Sequence, residues 1–133
     1  MSELGAQRHQ SRERALEILY ESAVKERSAL VVLNELAVRP DDYTVGLLTS
    51  AELNTERAEQ LISQFSLDWA LDRIALVDRL VMTLAVGEML LEDHPPRAVI
   101  LDEAVELAKI YSTDGSGSFV NGVLSSIAEE IFS

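Results

Sequence analysis

Residues Asp72 to Asp93, DRIALVDRLVMTLAVGEMLLED, constrain the fold more than any other part of the chain. The stretch opens on alternating charge at Asp72, Arg73, Asp78 and Arg79, then turns apolar on nearly every side. From Leu80 to Leu91 only Thr83 and Glu88 are strongly polar. A helix with one wet face carries polar residues at helical period, whereas a helix apolar all round is packed among other helices. A membrane span does not fit, because a bilayer needs ~20 consecutive apolar residues and Glu88 interrupts this shorter run. The expectation is a central core helix with the remaining helices as its jacket.

The jacket is legible on both sides of it. After a loose tail, Met1 to Gln7, a first helix runs from Arg8 with Leu16, Leu19, Tyr20 and Ala23 on its buried face. Ser28 caps a second helix carried by Leu30, Leu33, Leu36 and Ala37, and Pro40 ends it. Asp41 and Asp42 open a third, with Leu47, Leu48 and Ala51 inside. Asn54 or Thr55 caps a fourth, in which Ala58, Leu61, Ile62 and Phe65 fit the amphipathic template. A connector, Ser66 to Leu71, holds the single tryptophan, Trp69. His94-Pro95-Pro96 stops the central helix, since proline removes a backbone donor and pushes its predecessor out of the α region. A sixth helix spans about Val99 to Tyr111. Ser112 to Ser118 is a turn by composition, with Ser116 the next N-cap, and a last helix runs from about Gly117 to Ile131. Strand signals and internal repeats are missing, so the chain reads as all-α, with about seven helices.

At 133 residues the chain suits one domain (the usual range is ~100–200 residues) and can bury a core unaided. Without cysteine it has no disulfide, thiolate chemistry or cysteine zinc site. The opening MSELGAQRHQSRERA has no apolar signal-peptide region, so a soluble, cytoplasmic protein is expected. With 11 basic against 23 acidic residues the net charge is −12, which repels nucleic acid and anionic lipid at long range and attracts a basic partner.

Catalytic and cofactor chemistry finds little support. Gly115-Ser116-Gly117 follows a helix and lacks a Gly-Lys-Ser/Thr ending, so it reads as a helix–helix turn and not a phosphate cradle. His9 and His94 have no ligand partner at helical spacing, so no metal is expected. No carboxylate pair is singled out for acid/base work. Glu88 reads as a buried carboxylate satisfied by a neighbouring donor. Neither enzyme activity nor a cofactor is expected. Two binding features stand out. Arg8 and Arg12, one turn apart at the start of the first helix, can reach one phosphate track, with Tyr20 beyond them as a stacking ring; an exposed charged helix start explains the same residues. Phe119 lies in the first turn of the last helix, where N–H groups favour anions. On composition alone, a core phenylalanine followed by Gly122 allowing close helix approach is the better account of that segment.

Several stretches together resemble the NusB family over nearly the whole chain and in the right order. They are Arg12-Glu-Arg-Ala-Leu16 with Leu19-Tyr20, Trp69-Ala-Leu-Asp-Arg73, Val77-Asp-Arg79, Asp102-Glu-Ala-Val-Glu-Leu-Ala-Lys109, Ser112-Thr-Asp and Phe119-Val-Asn-Gly-Val-Leu124. The resemblance implies a single all-α domain of two packed helical subdomains, about 1–53 and 54–133, around the central helix. It implies transcription antitermination and ribosome biogenesis by binding, not catalysis. The implied partners are the basic small-subunit ribosomal protein NusE, boxA single-stranded RNA and the RNA polymerase antitermination complex, with a monomer or homodimer as the unit. By position it assigns Arg8, His9, Gln10, Arg12, Arg14, Tyr20 and Phe119 to RNA, and Asp72 and Asp78 to an acidic surface facing the protein partner. The chain departs from the family's pattern at His9, Gln10 and Ser11, where arginines are usual. It departs again at Gly115 in place of aspartate, at Gly117 in place of proline or another helix-starting residue, and at Thr83 and Gly87 in place of an arginine and an aromatic. The alternatives are a NusB-like protein-binding module with weakened RNA binding and a detached helical domain of an rRNA methyltransferase.

Overall fold

A computed structural model describes every residue except Met1 and Asp68. The described residues form seven α-helices and no strand: α1 (Glu3–Lys25), α2 (Ala29–Asn34), α3 (Asp42–Leu53), α4 (Thr55–Phe65), α5 (Leu76–Met89), α6 (Arg97–Tyr111) and α7 (Ser116–Phe132). A short 3-10 turn, Leu71–Arg73, precedes α5.

α5 is the central helix. All its residues from Val81 to Met89 are buried, and Leu84, midway along, is 2% exposed. The helix packs against α1, α3, α4, α6 and α7. No described helix is long and apolar enough to cross a membrane.

Local chemistry explains several of the boundaries. Asp41 accepts from the Thr44 N–H at 3.2 Å and from the Thr44 hydroxyl at 2.6 Å, which starts α3. Burial alone would raise the Asp41 pKa, but these bonds and one from Ser11 hold it below the usual carboxylate value. Ser28 caps α2 through the Leu30 N–H. α1 ends where Glu26 turns left-handed at φ 54, so that its N–H and that of Arg27 reach back to Ala23 and Ser22.

Three boundary expectations are corrected. Most of the supposed tail is helical: Ser2 accepts from the Gly5 N–H at 2.9 Å and starts α1 at Glu3. Asn54 makes no cap bond and instead donates its amide to the Ser50 carbonyl. Ser116 is already inside α7, where its hydroxyl turns away to a side chain of α5.

The close helix approach also lies elsewhere than expected. A side chain at Gly122 would meet nothing within 4 Å, whereas a Cβ at Gly87 would lie 2.9 Å from the backbone of Ala51. Gly87 thus lets α5 cross directly on α3, and the Ser50 hydroxyl donates to the Gly87 carbonyl at 2.6 Å across that crossing.

Candidate functional site

The arginine segment of α1 divides between inside and outside. Arg12 is only 3% exposed. Its Nε and Nη2 donate to the two carboxylate oxygens of Glu88 at 2.9 and 2.7 Å, and its Nη1 donates to Glu103 on α6 at 2.8 Å. The Tyr43 hydroxyl, from α3, donates to the same Glu88 carboxylate. Burial would lower the Arg12 pKa, but the hydrogen bond and charge of Glu88, then the charge of Glu103, hold it above the ordinary guanidinium value. Arg8 and Arg12 therefore do not lie open side by side, because the Arg12 guanidinium is buried and its Nε, Nη1 and Nη2 each donate to a carboxylate. Glu88 is the satisfied buried carboxylate that its apolar context suggested.

Arg8 is placed differently. Its guanidinium lies 3.8 Å from the centroid of the Tyr43 ring, and among the described residues it forms no ion pair. His9 sits beside it with Nδ1 3.1 Å from Glu103 and Nε2 3.5 Å from Glu13. Gln10 and Arg14 are exposed and, four residues apart, share a different face of α1. Arg14 has only a loose contact, 3.6 Å, with Glu17. Tyr20 is exposed further along and lines a shallow cleft with Leu16, Val77 and Tyr111.

The acidic pair also separates. Asp72 is exposed in the 3-10 turn. Asp78, in the first turn of α5, is 7% exposed and so is not part of an open acidic surface. Its Oδ2 accepts from the Ser116 hydroxyl at 2.9 Å, which ties α5 to α7. Its Oδ1 is buried and has no hydrogen-bond partner among the described residues. Asp78 lines a second cleft with Trp69, Arg73, Thr113, Ser116 and Phe119. Phe119 is half-buried there, while Trp69 is 52% exposed at the rim. The two clefts flank the start of α5, with Val77 in one and Asp78 in the other. Among the described residues no group of three or more His, Cys, Asp or Glu could hold a metal ion.

A sequence model described as the NusB family matches residues 9–129, which includes α1 from His9 onwards and both clefts. The chain belongs to the NusB family. It is 40% identical to the transcription antitermination protein NusB of Streptomyces coelicolor, over 93% of this chain and 94% of that protein. The same protein of a Nocardioides species is also 40% identical, over 90% and 92%. Among solved structures, NusB of T. maritima superposes with a TM-score of 0.82 at 32% identity, covering 92% of this chain and 91% of that one. A complex of the antitermination factors NusB and NusE with dsRNA matches with a TM-score of 0.78 at 25% identity, over 94% and 98%.

One functional candidate in this NusB-family chain escapes sequence reasoning. Tyr43 contacts both Arg8 and Glu88, yet it lies 35 residues from one and 45 from the other. The only local signal is an aromatic in the first turn of α3, a place an ordinary core residue also occupies.

Proposed function

We propose that this chain is a transcription antitermination protein that pairs with a basic small-subunit ribosomal protein, NusE, and holds boxA-type RNA within the cytoplasmic RNA polymerase antitermination complex. The carrying observation is the likeness, over nearly the whole chain, to NusB in a solved NusB–NusE–RNA complex. The chain acts by binding and not by catalysis. Its two subdomains, about 1–53 and 54–133, form one working unit.

The protein partner fits the cleft at the start of α5. The Asp78 Oδ1 is a buried acceptor awaiting a donor, and an unmatched buried carboxylate oxygen is costly until one arrives. Exposed Asp72 and the net charge of −12 steer a basic partner towards it. RNA contact falls to Arg8, His9, Gln10 and Arg14 on α1, with Tyr20 and Phe119 as rings, and Arg12 acts from within by holding Glu88 and Glu103. So few free cations neutralise few phosphates. Each contributes ~0.7 to the salt slope on a single strand, so the protein alone is expected to bind RNA weakly and with a shallow slope. The basic partner completes the site.

The test is fluorescence anisotropy with boxA RNA, a scrambled strand and a duplex, with and without the ribosomal protein. Selective binding only in the partner's presence is expected. Tight, selective binding by the lone protein refutes the assisted model. The burial of Arg12 favours one second reading, a partner-binding member with little RNA affinity. Absence of selective binding even with the partner would establish it.

A further inference from the structure

We infer that Tyr43 is a positioning residue of the RNA site, an aromatic platform that holds Arg8 by its face and leaves its edge open to a phosphate. This rests on the proposed RNA-binding function and adds a residue of α3 to a segment otherwise confined to α1.

The inference starts from how the two arginines are held. A guanidinium offers five N–H donors around its rim and an apolar face. Arg12 is gripped by the rim, with its Nε, Nη1 and Nη2 donating to Glu88 and Glu103, and burial keeps the rest of the guanidinium from a ligand. Arg8 is gripped by the face: its central carbon stands 3.8 Å from the Tyr43 ring centroid, a cation–π stack. Stacking consumes no donor. The Arg8 side chain is only half-buried, and among the described residues it meets no carboxylate.

The platform is itself fixed. The Tyr43 hydroxyl donates to Glu88, which Arg12 grips through both oxygens. The order of the buried cluster therefore passes through one ring to the exposed cation. A free arginine must lose its rotamer freedom when it grips a phosphate, and a stacked one has lost part of it already. That matters most in this chain, whose net charge repels RNA and whose α1 segment has few other open cations.

The experiment compares wild type, Tyr43→Leu, Tyr43→Phe, Arg8→Ala and Arg8→Ala/Tyr43→Leu, each with the ribosomal protein and boxA RNA. Thermal denaturation accompanies each variant, and NMR follows the Arg8 side-chain protons. Tyr43→Leu removes the ring and should weaken RNA binding ~3- to 10-fold. Tyr43→Phe keeps the ring, loses only the hydroxyl, and should restore binding although it is less stable than wild type. In the Arg8→Ala background Tyr43→Leu should weaken RNA binding no further. The Arg8 protons should show a ring-current shift in wild type and Phe that vanishes in Leu. A purely structural role predicts the opposite pattern: affinity tracks the melting temperature, Phe fails to rescue, and the two substitutions add. That pattern, or an Arg8 with no ring-current shift in wild type, overturns the inference. If wild type binds no RNA with the partner present, the proposed function fails first and the platform's role in RNA binding falls with it. Loss confined to the Tyr43→Leu arm cannot be mistaken for that result.

Discussion

Glu88 and Asp78 are two buried carboxylates on the same helix, ten residues apart, and their surroundings are opposite. Glu88 meets an arginine through both oxygens and a tyrosine hydroxyl as well, all from elements that converge on the inner end of α5. Asp78 has one serine hydroxyl on one oxygen and, among the described residues, nothing on the other. Burying a charge is tolerable only when it is paired and hydrogen-bonded, so the Glu88 cluster is complete as it stands. Under the proposed function, the open Oδ1 of Asp78 is where a partner's donor would fit. Equal burial therefore goes with a closed hydrogen-bond set at one end of the helix and an open acceptor at the other.

Removing Glu88 tests the comparison hardest. Glu88→Ala strands the Arg12 guanidinium in the core with only Glu103 for company and should destabilise the protein by ~3–5 kcal/mol in chemical denaturation. A midpoint near wild type would mean the cluster contributes nothing to the fold.

A smaller effect is expected at its edge, and it depends on pH. Tyr43→Phe loses a hydrogen bond to a charged group on a half-buried ring, a cost of about 1–2 kcal/mol at neutral pH. Burial, then the hydrogen bond and charge of Glu88, push the Tyr43 pKa up to about 12. The folded state therefore holds this proton more tightly than the unfolded chain, where tyrosine titrates near ~10. The stabilisation is fully present below pH ~10 and is lost as pH rises from there towards 12. Denaturation of both proteins across that range should show the difference between wild type and Phe shrinking; a constant difference would separate Tyr43 from Glu88.

The smallest effect on stability belongs to Asp78→Asn. The amide oxygen can keep the Ser116 bond, and the other position had no partner to lose, so the change should stay within ~1 kcal/mol. Calorimetry with the ribosomal protein should nonetheless show a weaker complex. A loss of stability as large as that of Glu88→Ala would erase the contrast between the two ends, and unchanged affinity would place the partner elsewhere.

The helices themselves were readable because their signals are local. The apolar run from Leu80 to Leu91, the stop at His94-Pro95-Pro96 and the caps at Ser28 and Asp41 each depend on residues a few positions apart. The loose tail was misread because Ser2 caps α1 ahead of Glu3, adding the five residues Glu3 to Gln7 to the helix. The candidate site was legible only by segment: α1, the start of α5 and the start of α7.

Which residues of those segments face outwards was decided by tertiary structure. Helical period puts Arg8 and Arg12 near one another on α1, but it does not say what meets each. Glu88 arrives from 76 residues away and draws Arg12 inwards, while Tyr43 arrives from 35 away and holds Arg8 at the surface. Likewise Asp72 and Asp78 are equally acidic in sequence, but Asp78 is buried where α5 meets the start of α7 and bonds Ser116, while Asp72 stays exposed. Sequence alone determined the all-α architecture around α5, since hydrogen bonding along a helix and the burial of its apolar face are short-range properties. The fate of each charge depended on counter-charges distant in the chain, which only the folded backbone brings together.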